Sequence, residues 1–138
     1  MMYKLKEYDK KDVHVIHTGY DFDRELLADG HNTVGKTLLK GDTVVAVGGV
    51  HIMWDGVGEA WTLVSPDIER NGVVFARYAK KMFDAIIKEN NLTRVQATIH
   101  VNDITAAQFA SWLGFESEGV MRKYGINGED YIRVARVS

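Results

Sequence analysis

Residues 65–83, SPDIERNGVVFARYAKKMF, have the pattern of a strand end, a loop and the start of a long helix. Gly72 stands where the loop meets the helix. Beyond it, apolar residues recur every three or four positions and charged residues occupy the other side, which predicts a helix over Phe75–Asn90. The first N–H groups of a helix have no partner within it, so this loop is a candidate site for a phosphate.

Three strands are predicted before this loop, because apolar and β-branched runs are separated by short turns rich in glycine. Gly48 and Gly49 lie inside the middle run, and they predict a bulge or a place where another group approaches the backbone closely. The runs therefore form a meander, with strands at Thr33–Leu39, Thr43–Trp54 and Glu59–Val64 and turns at Lys40–Asp42 and Asp55–Gly58.

The beginning of the chain is less regular. Tyr3–Tyr8 alternates like a short edge strand, and Asp9–Leu27 is weakly periodic, as expected of one or two short helices. We expect four apolar residues to anchor these helices, namely Val13, Ile16, Leu26 and Leu27.

After the long helix, Arg94–Val101 alternates between apolar and polar residues and predicts a strand. Asp103 can cap a short helix that ends near Gly114. Phe115–Arg122 and Asp130–Val137 are then predicted to form a final hairpin. The predicted order is strand, helices, three strands, helix, strand, helix and hairpin.

Length and charge limit the possible functions. The chain has 138 residues, the size of one domain, and we expect a single domain over residues 1–138. A net charge of -2 without a basic run argues against nucleic acid as a partner. The first residues lack the apolar region of a secretory signal and no apolar run is long enough to cross a membrane, so we expect a cytoplasmic protein. No cysteine is present, which excludes disulfides.

The predicted order and three motifs resemble the GNAT N-acetyltransferase superfamily over about Thr33–Val137. The motifs are Val64-Ser65-Pro66 with Gly72 before a long helix, Asn102-Asp103 with Ala106 and Leu113-Gly114-Phe115, and Gly114–Arg122 with Gly128-x-Asp130-Tyr131. The resemblance implies an α/β fold with a mixed sheet, the GNAT-like acyl-CoA N-acyltransferase fold. The run Trp61–Ser65 is also similar to small GNAT-like proteins of tailed phages, which would place the protein in the host cytoplasm or the virion.

The resemblance also implies where acetyl-CoA would bind. The cofactor would lie where the strand ending at Val64 separates from the strand beginning at Arg94. Main-chain groups near Leu63 and Val64 would pair with its pantetheine arm. The remaining cofactor-binding residues implied by the resemblance are those of the phosphate loop and the family's asparagine, namely Arg70, Asn71, Gly72, Val73, Val74 and Asn102.

Three positions depart from the family's pattern. Glu69 stands at the basic or glutamine position of the loop, Val74 at its second small residue, and Ala110 at the tyrosine that commonly protonates the thiolate. A carboxylate about 4 Å from a phosphate would cost roughly 4 kcal/mol at an effective dielectric constant of 20. Glu69 must therefore point away from a bound cofactor.

Glu59 is the candidate catalytic residue, because the resemblance implies a carboxylate base near the start of this strand. Counted from Val64 it lies one residue from the family's position, so without a bulge it faces the opposite side of the sheet. A solvated glutamate at a strand end is the alternative. His51 and His100 are other bases by their ordinary pKa, although a structural role is expected for each.

Other polar and aromatic residues are expected to be structural. His14 and His17 lack a third ligand at suitable spacing, and no metal site is predicted. We expect at least two of the three tryptophans, Trp54, Trp61 and Trp112, in the core; the alternative is that they form the wall of an acceptor cleft. Tyr124 and Tyr131 are expected to pack across the last hairpin, with a hydroxyl supplied to the site as the alternative.

Two functions remain open. The first is an N-acetyltransferase that uses acetyl-CoA to acetylate a primary amine on a small molecule or a protein. The second is a GNAT-shaped structural or interaction protein whose cofactor site has decayed, such as a phage virion component or a host-directed factor. The exposed final hairpin makes a second copy of the chain a candidate partner.

Overall fold

The computed structural model describes residues 2–22, 24, 27 and 32–138. Its strands form one mixed sheet in the order β1-β2-β3-β4-β5-β7-β6. The predicted α/β fold with a mixed sheet is confirmed. The strands are β1 Tyr3–Glu7, β2 Thr33–Lys40, β3 Thr43–Trp54, β4 Val57–Val64, β5 Arg94–His100, β6 Glu116–Met121 and β7 Tyr131–Val137.

The helices with defined bounds are α1 Lys11–Val15, α2 Pro66–Glu69, α3 Gly72–Glu89 and α4 Ile104–Trp112. The long helix begins at Gly72, three residues before its predicted start. The short helix α2 was not predicted. Its local signals are Ser65, whose hydroxyl accepts the N–H of Ile68 at 3.4 Å, and Pro66 in the first turn.

The two faces of the sheet are covered by different helices. On the α1 face, Val13 and Ile16 are buried against Val47 and Leu63. On the α3 face, the buried side of the long helix packs against the sheet with Ala79, Met82, Phe83 and Ile86. Of the anchors predicted for the first helices, Val13 and Ile16 are confirmed, Leu27 packs beside them, and Leu26 lies outside the described residues.

The paired glycines of β3 mark a close approach, as the sequence predicted. A Cβ built on Gly49 would lie 2.3 Å from Cζ2 of Trp61, whose indole lies flat against this part of β3. The register shifts of β3 occur elsewhere, opposite Leu38 and Leu39 in β2 and between Ile52 and Trp54. Gly49 therefore makes room for an aromatic ring and does not form a bulge.

The expectation that two tryptophans lie in the core is wrong. Trp54 is 63% exposed at the end of β3, and Trp112 is 58% exposed at the end of α4. The indole N–H of Trp112 donates to the carbonyl oxygen of Ala76 at 3.4 Å, so this ring lies across the surface of α3. Only Trp61 is half-buried.

Strand β4, the third strand of the predicted meander, begins at Val57, so the turn before it is shorter than predicted. Asp55 and Gly56 alone form it, and Gly56 has a φ of 84°, which glycine adopts without strain. No helix of the described residues is long and apolar enough to cross a membrane.

Candidate functional site

Strands β4 and β5 separate along their length. They are parallel neighbours and pair at Val57 with Arg94, Gly58 with Val95, and Glu59 with Gln96. Beyond Glu59, β4 continues to Val64 and β5 to His100, but in the part of the chain that the structure describes these two strands no longer pair with each other. The predicted wedge between these two strands is therefore confirmed.

A cavity of about 390 Å³ lies in this wedge on the α3 face. Small side chains from both strands and from α4 leave the space open, and Phe83 and Phe109 give it apolar walls. The alanines that line it are Ala60, Ala97, Ala106 and Ala110. Because Ala110 faces the cavity, a tyrosine at that position would have placed its hydroxyl here.

The backbone of β4 presents N–H groups to the wedge. The N–H of Ser65 donates to the carbonyl oxygen of Val45 on β3 at 2.9 Å. Backbone direction alternates along a strand, so Leu63 also faces β3, whereas Thr62 and Val64 face the wedge. Of the two residues predicted to pair with pantetheine, Val64 presents its main chain there and Leu63 has its side chain in the core of the α1 face.

Tyr20 contacts the end of this strand. Its hydroxyl accepts the N–H of Val64 at 3.1 Å. Burial raises the pKa of Tyr20, the hydrogen bond from Val64 opposes this, and the charge of Glu69 adds to the increase in pKa. No sequence pattern indicated this contact, because Tyr20 lies in a weakly periodic segment.

The predicted phosphate loop ends at backbone N–H groups that have no acceptor within the helix they begin. The side-chain amide of Asn71 donates to the carbonyl oxygen of Asp67 at 3.1 Å, and this side chain does not cap α3. The N–H groups of Gly72, Val73 and Val74 open an 18-residue helix and have no acceptor within it. A Cβ at Gly72 would meet no heavy atom within 4 Å, so the space in front of these amides is open.

The residues that depart from the family's loop do not fill this space. The side chain of Val74 packs into the core of the α3 face beside Ile68 and Met82. Glu69 is exposed, and Arg70 is exposed 3.9 Å from Asp67, which Lys40 also holds at 2.9 Å. The space in front of these amides therefore stays open, and the cation nearest to it in the loop sequence is Arg70.

Asn102 lies in the exposed turn between β5 and α4. Its N–H donates to Nδ1 of His100 at 3.1 Å, and the His100 ring packs against Tyr131 at 5.3 Å. Tyr124 also packs against Tyr131, with ring centroids 5.5 Å apart. His100 and both tyrosines thus make packing contacts of the kind expected of structural residues.

Glu59 is not a solvated residue at a strand end. Its carboxylate receives hydrogen bonds from Arg133 and from Gln96, each at 3.0 Å. It lies on the α1 face with Trp61 and Leu63, opposite to Val64, as its position in the strand predicted. The contacts of Glu59 with Arg133 and Gln96 were not predicted from the sequence, because no local pattern indicates contacts between residues on three different strands.

His51 lies beside Glu59 on the neighbouring strand. Its Nδ1 is 2.6 Å from the hydroxyl of Thr33, and its ring lies 5.7 Å from Trp61. Burial lowers the pKa of His51, and the charge of Glu59 offsets this decrease in part. Among the described residues, no group of three or more His, Cys, Asp or Glu could hold a metal ion.

Comparisons with known proteins give a fold but no relative in sequence. No protein-family model matches the chain, and no curated protein is significantly similar to it in sequence. Among solved structures, the ribosomal-protein-S18-alanine N-acetyltransferase from Escherichia coli superposes with a TM-score of 0.76 at 17% identity, covering 99% of this chain and 94% of that one.

Two further solved structures superpose on this chain equally well. A mutant of spermidine N-acetyltransferase SpeG from Vibrio cholerae gives a TM-score of 0.77 at 11% identity, with 98% and 93% of the two chains covered. Ard1 from Thermoplasma volcanium gives 0.79 at 16% identity, with 98% and 97% covered. The chain therefore adopts the GNAT fold of the N-acetyltransferases.

Proposed function

We propose that this protein is an N-acetyltransferase that uses acetyl-CoA to acetylate a primary amine. The observation that carries this proposal is the wedge between β4 and β5. A cavity of about 390 Å³ lies there, beside backbone N–H groups of β4 that do not pair with β5. A continuous parallel sheet would leave no such opening.

The residues present fit acetyl-CoA. Val64 offers main-chain groups to the pantetheine arm once Tyr20 releases them. Gly72, Val73 and Val74 offer N–H groups and the positive end of a helix dipole to the pyrophosphate. Arg70 and Asn71 flank these amides, and Asn102 lies in the turn that follows β5. The alanines of the cavity leave room for a narrow chain.

Acetyl-CoA would supply an acetyl group activated as a thioester. The N–H of Thr62 points into the wedge and would stabilise the negative charge that develops on the carbonyl oxygen during attack by the amine. Glu59 would accept the proton that the amine loses, directly or through water. Since Ala110 cannot donate a proton, water would protonate the departing thiolate, which a thiol pKa near 8.5 allows.

Binding of acetyl-CoA tests the cofactor site. We expect calorimetry to show saturable binding to the wild-type protein and to Gly72→Ala, whose added methyl group enters open space. Gly72→Glu should abolish binding, because its carboxylate would stand before the phosphate-binding amides. Thermal unfolding of both variants controls for folding. Absence of binding at millimolar acetyl-CoA would exclude the transferase.

Measurement of acetyl transfer tests Glu59 as the proposed base. With an amine acceptor, Glu59→Gln should lower kcat by about 100-fold while acetyl-CoA affinity stays unchanged. The glutamine retains the size of the side chain and a hydrogen bond to Arg133, so the fold should persist. An unchanged kcat would mean that His51 or water acts as the base.

A GNAT-fold interaction protein without catalysis is the second candidate, and one contact favours it. The hydroxyl of Tyr20 already holds the N–H of Val64 that pantetheine would use. If this protein is such a factor, in a phage virion or directed at a host, neither Gly72 variant should affect its behaviour in the binding experiment, because the wild type itself would not bind acetyl-CoA.

A further inference from the structure

A row of charged and polar side chains crosses the α1 face where β4 and β5 begin to separate. Glu59 on β4 is joined to Gln96 on β5 and to Arg133 on β7, each contact at 3.0 Å. The side chain of Glu59 is 32% exposed and that of Arg133 is 22% exposed. Glu59 and Gln96 are also the last paired residues before the wedge.

The same face carries a second ion pair. Arg94 holds the carboxylate of Glu118 through two hydrogen bonds and also donates to the side chain of Gln96 at 3.0 Å. The hydrogen bond from Arg94, and more weakly the charge of Arg133, lower the pKa of Glu118. In this row, two guanidinium groups are thus balanced by two carboxylates.

An amine acceptor disturbs this balance. At neutral pH a primary amine arrives as an ammonium ion, and it must approach Glu59 to lose its proton. Arg133 then loses its partner, and two guanidinium groups share Glu118 alone. A partly buried cation without a partner is unfavourable, and the strongest replacement is a second carboxylate.

We propose that the acceptor is a primary amine that also carries a carboxylate, and that Arg133 binds this carboxylate while the ammonium group replaces Arg133 at Glu59. The acceptor then exchanges partners with the existing ion pair and leaves no charge unmatched. This inference rests on the proposed function, and it makes Arg133 the residue that determines specificity. A polyamine, which has ammonium groups only, is disfavoured because it adds a cation beside Arg133.

Two sources supply this chemistry, and matched acceptors separate them. Free amino acids are represented by glycine with glycinamide and by β-alanine with β-alaninamide. Protein N-termini are represented by peptides that begin with aspartate or with asparagine. The kcat/KM for each is calculated on the unprotonated amine, because the two members of a pair differ in amine pKa. The carboxylate form should be preferred by roughly tenfold or more in at least one source.

Variants of Arg133 test the assignment. Arg133→Gln should reduce this preference to about one, and Arg133→Lys should restore part of it, because the charge remains without the paired geometry of a guanidinium group. Arg136→Gln is the matched control, since Arg136 lies on the same strand and bridges to Asp84 of α3 at 2.8 Å. It should leave the preference unchanged, and thermal unfolding confirms that each variant is folded.

The outcomes distinguish this inference from the proposed function. Transfer to amines without preference for the carboxylate in either source, or an unchanged preference in Arg133→Gln, overturns the inference alone. Absence of transfer to every amine overturns the transferase. The acceptor role falls with it, and calorimetry with the amino acids and peptides then decides whether Arg133 binds a carboxylate: binding that Arg133→Gln abolishes supports this assignment, and absence of binding overturns it.

Discussion

The hydroxyl of Tyr20 and the N–H of Val64 form a hydrogen bond of 3.1 Å at the open end of the wedge. Tyr20 thus occupies the main-chain donor that a pantetheine arm would need. In the proposed site the cofactor could use this donor only if the tyrosine moved, so the hydroxyl would compete with acetyl-CoA.

Removing this hydroxyl should strengthen cofactor binding. In Tyr20→Phe, the N–H of Val64 is free for acetyl-CoA, and the dissociation constant should fall about fivefold, the value of one neutral hydrogen bond. Calorimetry measures this change. Tyr124→Phe, in the exposed final hairpin, is the control and should bind as the wild type does. Weaker binding by Tyr20→Phe would show that the hydroxyl contacts the cofactor instead.

Gly49→Ala should destabilise the protein. Its Cβ would lie 2.3 Å from Cζ2 and 2.5 Å from Cε2 of Trp61, so the half-buried indole must move. Forcing an extra methyl group into a packed site costs about 1–3 kcal/mol in the free energy of unfolding. Gly72→Ala is the matched substitution in open space and should change stability by less than about 0.5 kcal/mol. Urea unfolding compares the two, and equal effects would contradict the packing at Trp61.

Periodicity in the sequence predicted the elements well, because it reports burial along one segment at a time. The stripe from Phe75 to Ile87 and the alternation of Arg94–Val101 each matched an observed element. The close approach at Gly49 was also predictable, since a glycine inside a strand has few other uses. Exposure of Trp54 and Trp112 was missed because residue type alone does not indicate which end of an element reaches the surface.

The partners within the site could not be predicted. Tyr20 is 44 residues from Val64, and Arg133 is 74 residues from Glu59. The second contact depends on β7 lying between β5 and β6, a strand order that no local pattern encodes. The resemblance to a family predicted the wedge, and its phosphate site before α3 stays a prediction, whereas the charges around Glu59 came only from the structure.

Asp12→Ala should reduce stability by about 3 kcal/mol. The carboxylate is 2% exposed, and it accepts hydrogen bonds from Lys6 at 2.7 Å, from the hydroxyl of Thr37 at 2.8 Å and from the N–H of Asp9 at 3.0 Å. Burial alone would raise the pKa of Asp12, but these hydrogen bonds outweigh it and lower the pKa. Its removal leaves the fully buried hydroxyl of Thr37 unpaired.

Lys80→Ala is the control for this change, because it breaks an exposed ion pair with Asp84 of 3.5 Å. The loss there should stay below about 1 kcal/mol. Thermal or urea unfolding at pH 7 measures both variants. Equal losses would mean that the buried hydrogen bonds of Asp12 contribute no more than a surface contact.

The half-buried imidazole of His51 should make stability depend on pH. Burial holds the pKa of His51 below its ordinary value of 6.5, so in the unfolded chain this group takes up a proton at a higher pH than in the folded protein. The stabilisation is therefore complete above pH 6.5 and is lost as the pH falls toward the folded pKa. His51→Gln removes the titrating group, and its free energy of unfolding should fall less between pH 7 and about pH 5 than that of the wild type. Urea unfolding across this range provides the comparison, and parallel curves for the two proteins would show that His51 is as accessible to protons in the fold as in the unfolded chain.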